Sequence, residues 1–266
     1  MSTIFVRKLN GLLKTELMGK VIHYHEETGS TNSVLYRLAE NGASEGTVVV
    51  ADMQTEGKGR LGRTWISPPG VNLYLSVLLR PSIAAYDAPL LTFTASIAIA
   101  ETMKRTGIPE PTIKWPNDVV IDGRKAAGVL TEMKLKGERA EFVIVGIGVN
   151  INMTAEAMRR DMGEVSKTAT SLREALGREI DRAKFTADLL LELEAWYRTF
   201  TGRGKSALLA EWTERWGARG QRVWVSLEDK TAFQGIAEGI DNDGHMLVRR
   251  EDGELVTVVA GDVSTL

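Results

Sequence analysis

The sequence contains no cysteine in its 266 residues. This absence excludes disulfide bridges, thiolate metal sites and cysteine nucleophiles, and it favours a reducing compartment, so we expect a cytoplasmic protein. Long apolar runs are also absent, because the best candidate, residues 90–100, is interrupted by three hydroxyl side chains and falls short of the roughly 18 residues that a membrane helix needs. Only three consecutive apolar residues precede the first charges, so we predict neither a secretory signal nor a membrane segment.

An excess of positive charge is missing too. The chain carries 33 Lys and Arg residues against 35 Asp and Glu residues, which gives a formal net charge of -2. No overall positive field therefore exists to attract nucleic acid, and we predict no DNA partner. The composition, with 43% hydrophobic and 26% charged residues, is that of a globular protein able to bury a sizeable core. At this length we expect either one large domain or a large domain followed by a small second one.

Apolar spacing predicts a mixed α+β fold. Alternating and β-branched runs predict strands near 21–24, 47–51, 71–79, 129–133 and 142–151, with a hairpin turn at Asp122 and Gly123. Helical spacing predicts a helix capped by Ser30 or Thr31, a helix over 84–107, and helices near 168–176, 180–200 and 205–216. Beyond a glycine-containing corner at 217–220, short strands with turns at 241–244 and 251–253 predict a small β-barrel. We therefore expect two domains, 1–217 and 218–266.

A basic, glycine-rich loop follows the second predicted strand. Residues 57–63 read GKGRLGR, with three cations and three glycines in seven positions, so the backbone can approach an anion closely while the side chains neutralise it. The spacing formally satisfies G-x-G-x-x-G, but no helix follows at once and position 80 is Arg80 rather than an acidic residue, which excludes a dinucleotide fingerprint. A P-loop is excluded because Gly59 follows Lys58. A solvated basic turn fits this loop equally well.

Three further segments carry polar residues at strand ends or glycines within strands. The sequence KWPND at 114–118 places a cation, an aromatic face, an amide and a carboxylate at a strand end, which suits a polar ligand but also an ordinary packed turn. Lys125 lies at the start of a predicted strand and Gly128 lies within it, where a missing side chain often marks close approach. Residues 146–152, GIGVNIN, read mainly as core.

Taken together and in this order, the motifs resemble those of biotin protein ligases. The resemblance runs from about Val21 to the C-terminus and rests on Ser30, Thr31 and Asn32, on Gln54 ahead of the 57–63 loop, on Trp65, and on segments 114–118, 124–132 and 146–150. It implies an α+β fold with a mixed, mostly antiparallel sheet, flanking helices and a small C-terminal SH3-like β-barrel. Lys58 departs from the family pattern, which commonly has Arg there, and the change loses the planar guanidinium fork.

The resemblance also implies a reaction and its partners. Members of the family are ATP-dependent biotin-[acetyl-CoA-carboxylase] ligases: they activate biotin to biotinyl-5'-AMP with release of pyrophosphate, and then transfer biotin to a lysine of the biotin carboxyl carrier protein of acetyl-CoA carboxylase or a related carboxylase. Mg²⁺ accompanies the ATP. A homodimer is common in the family, and the sequence leaves the oligomeric state open. The alternatives are a lipoate-protein ligase and a bifunctional ligase and biotin-responsive repressor. The roughly 20 residues before Val21 are too few for a three-helix DNA-binding module, so we expect a form without one.

By the same resemblance each motif residue has an implied role. Lys125 and Arg60 are the implied catalytic residues. The implied biotin-binding residues are Ser30, Thr31, Asn32, Gln54, Lys58, Gly59, Arg60, Gly128 and Lys125, and the implied ATP-binding residues are Arg60, Arg63, Trp65, Lys114, Asn117 and Asn150. Asp118 is the implied Mg²⁺ ligand. We further expect residues 56–64 to be mobile without ligand, and residues 221–266 to be accessory, since all the residues assigned to chemistry precede residue 153.

Overall fold

A seven-stranded sheet forms the centre of the larger part of the chain in the computed structural model, which describes residues 2–227 and 231–266. Its strands are β1 (Ile22–Thr28), β2 (Val48–Gln54), β3 (Leu73–Leu79), β4 (Thr112–Lys114), β5 (Asp118–Ile121), β6 (Arg124–Lys136) and β7 (Arg139–Val149). They lie in the order β1-β2-β3-β7-β6-β5-β4, and among the described pairs only β1 and β2 run parallel. The predicted mixed, mostly antiparallel sheet is confirmed.

Helices cover both faces of this sheet. They are α1 (Ser2–Leu12), α2 (Thr31–Glu40), α3 (Leu90–Thr106), α4 (Ala155–Met162), α5 (Leu172–Leu176), α6 (Arg182–Arg203) and α7 (Lys205–Glu214). Side chains alternate between the faces of a strand: Val48 and Val50 join the main core beside α3, whereas Val49 packs with Leu35 of α2 on the other face. Helix α3 is apolar on nearly all sides because it lies between the sheet and α6.

Several element boundaries differ from the sequence prediction. The helix predicted over 84–107 begins at Leu90, because residues 85–87 form a separate 3-10 turn and Pro89 occupies the N-cap. The helix predicted from 168 begins at Leu172, where the Ser171 side chain accepts a hydrogen bond from the backbone of Glu174. Strands β6 and β7 are longer than predicted because they pair as one hairpin over most of their length. The turn at 122–123 is as predicted.

The C-terminal part forms a second, five-stranded antiparallel sheet, which agrees with the predicted small barrel. Its strands are β8 (Arg222–Ser226), β9 (Ala232–Ile240), β10 (Met246–Arg250), β11 (Leu255–Val258) and β12 (Asp262–Thr265), in the order β11-β10-β9-β8-β12. Its apolar side chains, Val223 and Met246 among them, belong to the same continuous core as Phe93 of α3. The division at 217–218 stays a prediction. None of the described helices combines the length and the apolar character that crossing a bilayer requires.

A buried carboxylate fixes the turn that leads into β1. Glu194 of α6 is only 4% exposed, and its two oxygens accept hydrogen bonds from the backbone N–H groups of Glu16, Leu17 and Met18 at 3.0, 2.8 and 2.9 Å. Burial opposes ionisation of Glu194, but the three backbone donors and Arg198 together outweigh it, so the pKa of Glu194 lies below its ordinary value. This contact sets where β1 starts, and β1 ends beside the corner at Ser30.

We predict that Glu194→Ala destabilises the fold by about 2 kcal/mol at pH 7, because it leaves three backbone donors without their acceptor. Glu194→Gln keeps one acceptor oxygen and should cost less. Since the pKa is lower in the folded state than in the unfolded state, the contribution of the ionised carboxylate is fully present above the unfolded pKa and is lost as the pH falls through the folded pKa. Urea denaturation from pH 7 down to about pH 3, which is well below the ordinary glutamate pKa of about 4.3, measures this effect. A difference between wild type and Glu194→Gln that fails to shrink in the acid range would contradict the assignment.

Candidate active site

One cavity of about 1090 Å³ contains every residue that the sequence analysis assigned to chemistry. Its walls come from the β1–α2 corner, the 57–65 loop, strands β4 to β7, the segment at 162–169 and strand β12 of the C-terminal sheet. The predicted residues that line it are Ser30, Thr31, Asn32, Gln54, Lys58, Gly59, Arg60, Arg63, Trp65, Lys114, Asn117, Asp118, Lys125, Gly128 and Asn150. The structure thus brings all of these residues together, while their individual roles stay predictions.

The corner between β1 and α2 forms one polar end of the cavity. Ser30 is the N-cap of α2 and has an extended backbone, as the hydroxyl-rich sequence predicts. The backbone N–H of Thr31 donates to Gln54 Oε1 at 2.9 Å, and Gln54 Nε2 donates to Ser67 Oγ at 3.0 Å. The orientation of the Gln54 amide is therefore fixed by a backbone donor on one side and a hydroxyl acceptor on the other.

Asn32 is held inside the same corner by contacts on every polar atom of its side chain. Its Nδ2 donates to Glu132 Oε2 at 2.7 Å and to the Leu130 carbonyl at 3.2 Å, and its Oδ1 accepts from Ser76 Oγ at 2.6 Å. A side chain at Gly146 would clash with this amide. Asn32 can take this position only because Gly146, directly opposite Leu130 in the sheet, is glycine.

Glycines on β6 and β7 also make room for Trp65 and Lys125. Gly128 and Gly148 pair in register. A Cβ on Gly148 would clash with the Trp65 indole, and a Cβ on Gly128 would lie 3.2 Å from both Trp65 Cζ3 and Lys125 Cε. The Trp65 ring therefore packs directly against the backbone of the sheet, and its buried Nε1 has no hydrogen-bond partner within the part of the chain that the structure describes.

The basic loop is folded back on itself rather than extended. Gly59 N–H donates to the Arg63 carbonyl at 2.7 Å and Trp65 N–H donates to the Gly57 carbonyl at 2.8 Å. Leu61 lies in the left-handed region with φ 55°, which costs energy for a residue with a side chain and marks the tip of the turn. Arg60 Nη1 donates to Asn117 Oδ1 at 3.4 Å, so the loop reaches the β4–β5 turn.

Arg63 connects the basic loop to the C-terminal sheet. Its guanidinium meets the Asp262 carboxylate in a two-pronged pair, with Nη1 donating to Oδ1 at 3.0 Å and Nη2 donating to Oδ2. These hydrogen bonds hold the pKa of Asp262 below its ordinary value. Asp262 and the rest of β12 line the cavity. The wall of the site therefore extends beyond residue 153, where the sequence analysis had placed its limit.

Lys125 is positioned by a carboxylate, an aromatic ring and its own backbone. Its Nζ lies 2.7 Å from Asp118 Oδ1 and 5.3 Å from the centre of the Trp65 ring, and its carbonyl accepts from the Thr170 backbone N–H at 2.9 Å. The side chain of Lys125 is 36% exposed. The position of the amine is therefore set by Asp118 and Trp65, and the side chain lines the cavity.

The cavity as a whole favours an anion. Five cationic side chains line it, at Lys58, Arg60, Arg63, Lys114 and Lys125, against two carboxylates. Both carboxylates, Asp118 and Asp262, are ion-paired. A magnesium ion that is held mainly by phosphate and water needs few protein carboxylates, so this small number of lining carboxylates fits such an ion. The only group of three metal-ligating side chains in the described ranges is Asp241, Asp243 and His245 on the β9–β10 turn, and none of these three lines the cavity.

Sequence reasoning missed several residues of the site. Ser76 contacts Thr31 and Asn32. Alternation in the sequence predicts a half-buried strand at 71–79, but β3 is buried along its whole length, and the only signal of Ser76 is a hydroxyl within the apolar sequence LYLSVLL. Asp262 lies 199 residues from Arg63 along the chain, and no local pattern marks it. The segment at 162–169 contributes Met162, Val165, Thr168 and Ala169. Asn150, which is predicted to lie at the nucleotide end, also donates a hydrogen bond from Nδ2 to the Thr170 carbonyl at 3.1 Å.

Comparison with known proteins gives consistent matches along the chain. Residues 24–150 match the Biotin/lipoate A/B protein ligase family, and residues 219–266 match the Biotin protein ligase C terminal domain. The Bifunctional ligase/repressor BirA of Bacillus subtilis is 37% identical over 241 residues, which cover 91% of this chain and 73% of that protein. The Biotin--[acetyl-CoA-carboxylase] ligase of Mycobacterium tuberculosis is 35% identical over 247 residues, covering 89% and 86%.

A solved structure gives the same result for the fold. The biotin protein ligase from Aquifex aeolicus, determined in complex with biotin and ATP, superposes with a TM-score of 0.77 at 30% identity. The match covers 92% of this chain and 98% of that one. The shared fold therefore extends over most of both chains.

We predict that Asp262→Ala loosens the basic loop in the ligand-free protein. Loss of a partly exposed, bidentate ion pair is worth on the order of 0.5–1 kcal/mol, so backbone amides at 58–63 should exchange hydrogen about two- to fivefold faster. Hydrogen exchange read by mass spectrometry measures this change. Glu238→Ala is the matched control, because Glu238 forms an equally two-pronged pair with Arg249 on the same sheet but away from the loop. Equal exchange at 58–63 in wild type and Asp262→Ala would show that the pair does not restrain the loop.

Proposed function

The chain belongs to the biotin protein ligase family, and on that basis we propose that it activates biotin with ATP and transfers the biotinyl group to a lysine of a biotin carrier domain. One observation carries the proposal. A single cavity joins a neutral polar end, made by Thr31, Asn32 and Gln54, to a cationic end with five basic side chains. Biotin has a neutral ureido ring at one end and a carboxylate at the other, and ATP adds further negative charge beside that carboxylate.

In the first step a carboxylate oxygen of biotin attacks the α-phosphorus of ATP. The bond from the α-phosphorus to the bridging oxygen breaks, pyrophosphate leaves, and biotinyl-5'-AMP remains. No proton has to be removed from the carboxylate, so the protein needs no general base and no covalent intermediate at this stage. Catalysis depends on bringing two anions together in line and on stabilising the charge that develops.

Lys125 and Arg60 are the residues proposed for this electrostatic role. Lys125 Nζ lies at the cavity wall with Asp118 Oδ1 at 2.7 Å, and this ion pair limits the rotamers of the lysine side chain. Arg60 reaches the cavity from the basic loop and contacts Asn117. Fixed cations of this kind stabilise a transition state more than a mobile ground-state anion, because they do not have to reorient during the reaction.

The remaining lining residues divide between the two substrates. For biotin we propose Ser30, Thr31, Asn32, Gln54, Lys58, Gly59 and Gly128, together with Lys125 and Arg60. For ATP we propose Arg63, Trp65, Lys114, Asn117 and Asn150, with Arg60 between the two substrates and Asp118 as the one carboxylate for Mg²⁺. In the present structure Lys58 Nζ lies 3.7 Å from Glu132 Oε1. The other oxygen of that carboxylate accepts from Asn32 in the β1–α2 corner, so Glu132 connects Lys58 to this corner.

In the second step the amine of a carrier lysine attacks the carbonyl carbon of the mixed anhydride. An amide forms, AMP leaves, and the nucleophilic nitrogen loses a proton. The carrier proposed is the biotin carboxyl carrier protein of acetyl-CoA carboxylase or a related carboxylase.

Two other functions within the same family serve as outcomes to test. A lipoate-protein ligase would use the same two half-reactions, and the matched family covers both kinds of enzyme. A combined ligase and repressor would in addition bind DNA. Ahead of β1, the helix α1 packs on α6 through Leu9 against Ala183 and Ala187.

We predict that incubation with ATP, magnesium, biotin and a biotin carrier domain adds one biotinyl group to that domain. Intact-mass spectrometry of the carrier measures the addition. A parallel reaction with lipoate and a lipoyl carrier domain should leave the carrier unchanged. Modification by lipoate, with none by biotin, would make the protein a lipoate ligase instead.

We predict that Lys125→Ala folds normally and loses about 10²- to 10³-fold in the rate of adenylate formation, because it removes one preorganised cation at the reacting centre. Pyrophosphate release with biotin and ATP measures the first step without the carrier. Lys134→Ala is the matched control, since Lys134 lies on the same strand and pairs with Glu40 outside the cavity. A rate for Lys125→Ala within threefold of that for Lys134→Ala would remove Lys125 from the catalytic role.

A further inference from the structure

A chain of buried hydrogen bonds ends at the Thr31 hydroxyl in the polar corner of the cavity. It runs from the Leu130 carbonyl through the Asn32 amide and the Ser76 hydroxyl to Thr31 Oγ1. Ser76 has no exposed surface, and Thr31 and Asn32 are 4% and 3% exposed. Buried polar groups of this kind cannot exchange partners with water, so the direction of each hydrogen bond is set by the next.

The direction is fixed first at Asn32. Its neighbours on one side are the Leu130 carbonyl and a Glu132 carboxylate oxygen, and neither of these can donate. The NH₂ group of Asn32 must therefore face them, which leaves its Oδ1, an acceptor only, facing Ser76 at 2.6 Å. The Ser76 proton is consequently committed to Asn32.

The same reasoning then fixes the Thr31 hydroxyl. Ser76 Oγ and Thr31 Oγ1 lie 2.8 Å apart, a distance at which two oxygens need a proton between them. The geometry alone would let Ser76 Oγ donate either to Thr31 Oγ1 or to Asn32 Oδ1, but Ser76 has one proton, and the 2.6 Å contact with the acceptor-only Asn32 Oδ1 needs it. The Thr31 hydroxyl therefore supplies the proton between Thr31 and Ser76. Its other acceptor, Gln54 Oε1, lies farther away at 3.2 Å; a proton turned to Gln54 would leave the 2.8 Å contact with Ser76 without one.

We infer that Ser76 is a specificity-determining residue: it makes Thr31 Oγ1 a pure acceptor, so this corner selects a ligand that donates an N–H there. The inference rests on the proposed function, in which the ligand is biotin. The ureido ring of biotin carries two N–H groups, whereas the dithiolane ring of lipoate carries none. If an oxygen replaced that N–H, its lone pairs would face the lone pairs of Thr31 Oγ1 with no proton between the two oxygens. A site whose acceptor needs a donor from the ligand binds such an analogue much more weakly.

The test uses ligands of one shape that differ in a single donor. The probes are biotin and the two analogues in which one or the other ureido N–H is replaced by a ring oxygen, and isothermal titration gives the dissociation constants. Wild type should bind at least one analogue about a hundredfold or more weakly than biotin. In Ser76→Ala the Thr31 hydroxyl has lost its acceptor Ser76 Oγ, so it can rotate and donate its proton to the ring oxygen of the analogue. The ratio of the dissociation constants of analogue and biotin should therefore fall about tenfold. Loss of structure alone does not change a ratio between two ligands of the same shape.

Two further variants make the result specific. Ser96→Ala is the matched control, because Ser96 is also fully buried but donates only to the Phe93 carbonyl, at 3.0 Å, within α3; its preference should equal that of wild type. Ser76 acts through Thr31, so in a Thr31→Val background Ser76→Ala should have no further effect on the preference.

The outcomes separate the inference from the function on which it rests. A preference in Ser76→Ala equal to that in Ser96→Ala, in a protein that still binds biotin and modifies a carrier, would overturn the inference and leave the ligase function intact. An effect of Ser76→Ala that persists in the Thr31→Val background would also overturn it. Wild type that shows no biotin binding would overturn both.

Discussion

The absence of side chains along one strip of the sheet is the constraint on which the rest of the site depends. Gly128, Gly146 and Gly148 lie on two neighbouring strands, with Gly128 directly opposite Gly148. Asn32 can reach Ser76 and Leu130 only because Gly146 has no Cβ, and Trp65 can lie flat on the backbone only because Gly148 has none. A single methyl group would displace one of these side chains, and the contacts that hold its neighbours would be lost with it.

The ionic contacts of the cavity follow a second common pattern. Lys125, Arg63 and Lys58 each lie next to one carboxylate, on Asp118, Asp262 and Glu132 respectively. The three cations of the basic loop would repel one another, and the carboxylates beside Lys58 and Arg63 offset that repulsion before any substrate binds. A bound polyanion then competes with carboxylates for cations that are already in place, so less reorganisation accompanies binding than it would for unpaired, solvated side chains.

Apolar spacing along the sequence predicted the mixed α+β class. The residues that meet in the cavity, Lys125, Asn117 and Arg60 among them, lie in motifs that are ambiguous one by one, and they were predicted together because the motifs, in this order, resemble those of biotin protein ligases. Ser76 could not be found in this way, because one hydroxyl in a buried strand has no periodic signature. Asp262 could not be found either, since its partner Arg63 lies 199 residues away along the chain and only the folded structure brings the two together. The helices that begin at Leu90 and Leu172 were predicted to begin earlier, because helix propensity does not show which of several possible N-cap residues is used.

Two contacts join the small C-terminal sheet to the chemistry of the larger part. Trp115 Nε1, in the turn that carries Lys114 and Asn117, donates to the Gly244 carbonyl at 3.0 Å, and Arg63 pairs with Asp262. The two parts are therefore not interchangeable modules. When related chains exchange their C-terminal segments by recombination, the hybrid keeps the contacts to the basic loop and to the Trp115 turn only if the incoming segment offers a carboxylate and a carbonyl at these two places. The contacts thus restrict which combinations of halves evolution can sample, even where each half folds well in its own parent.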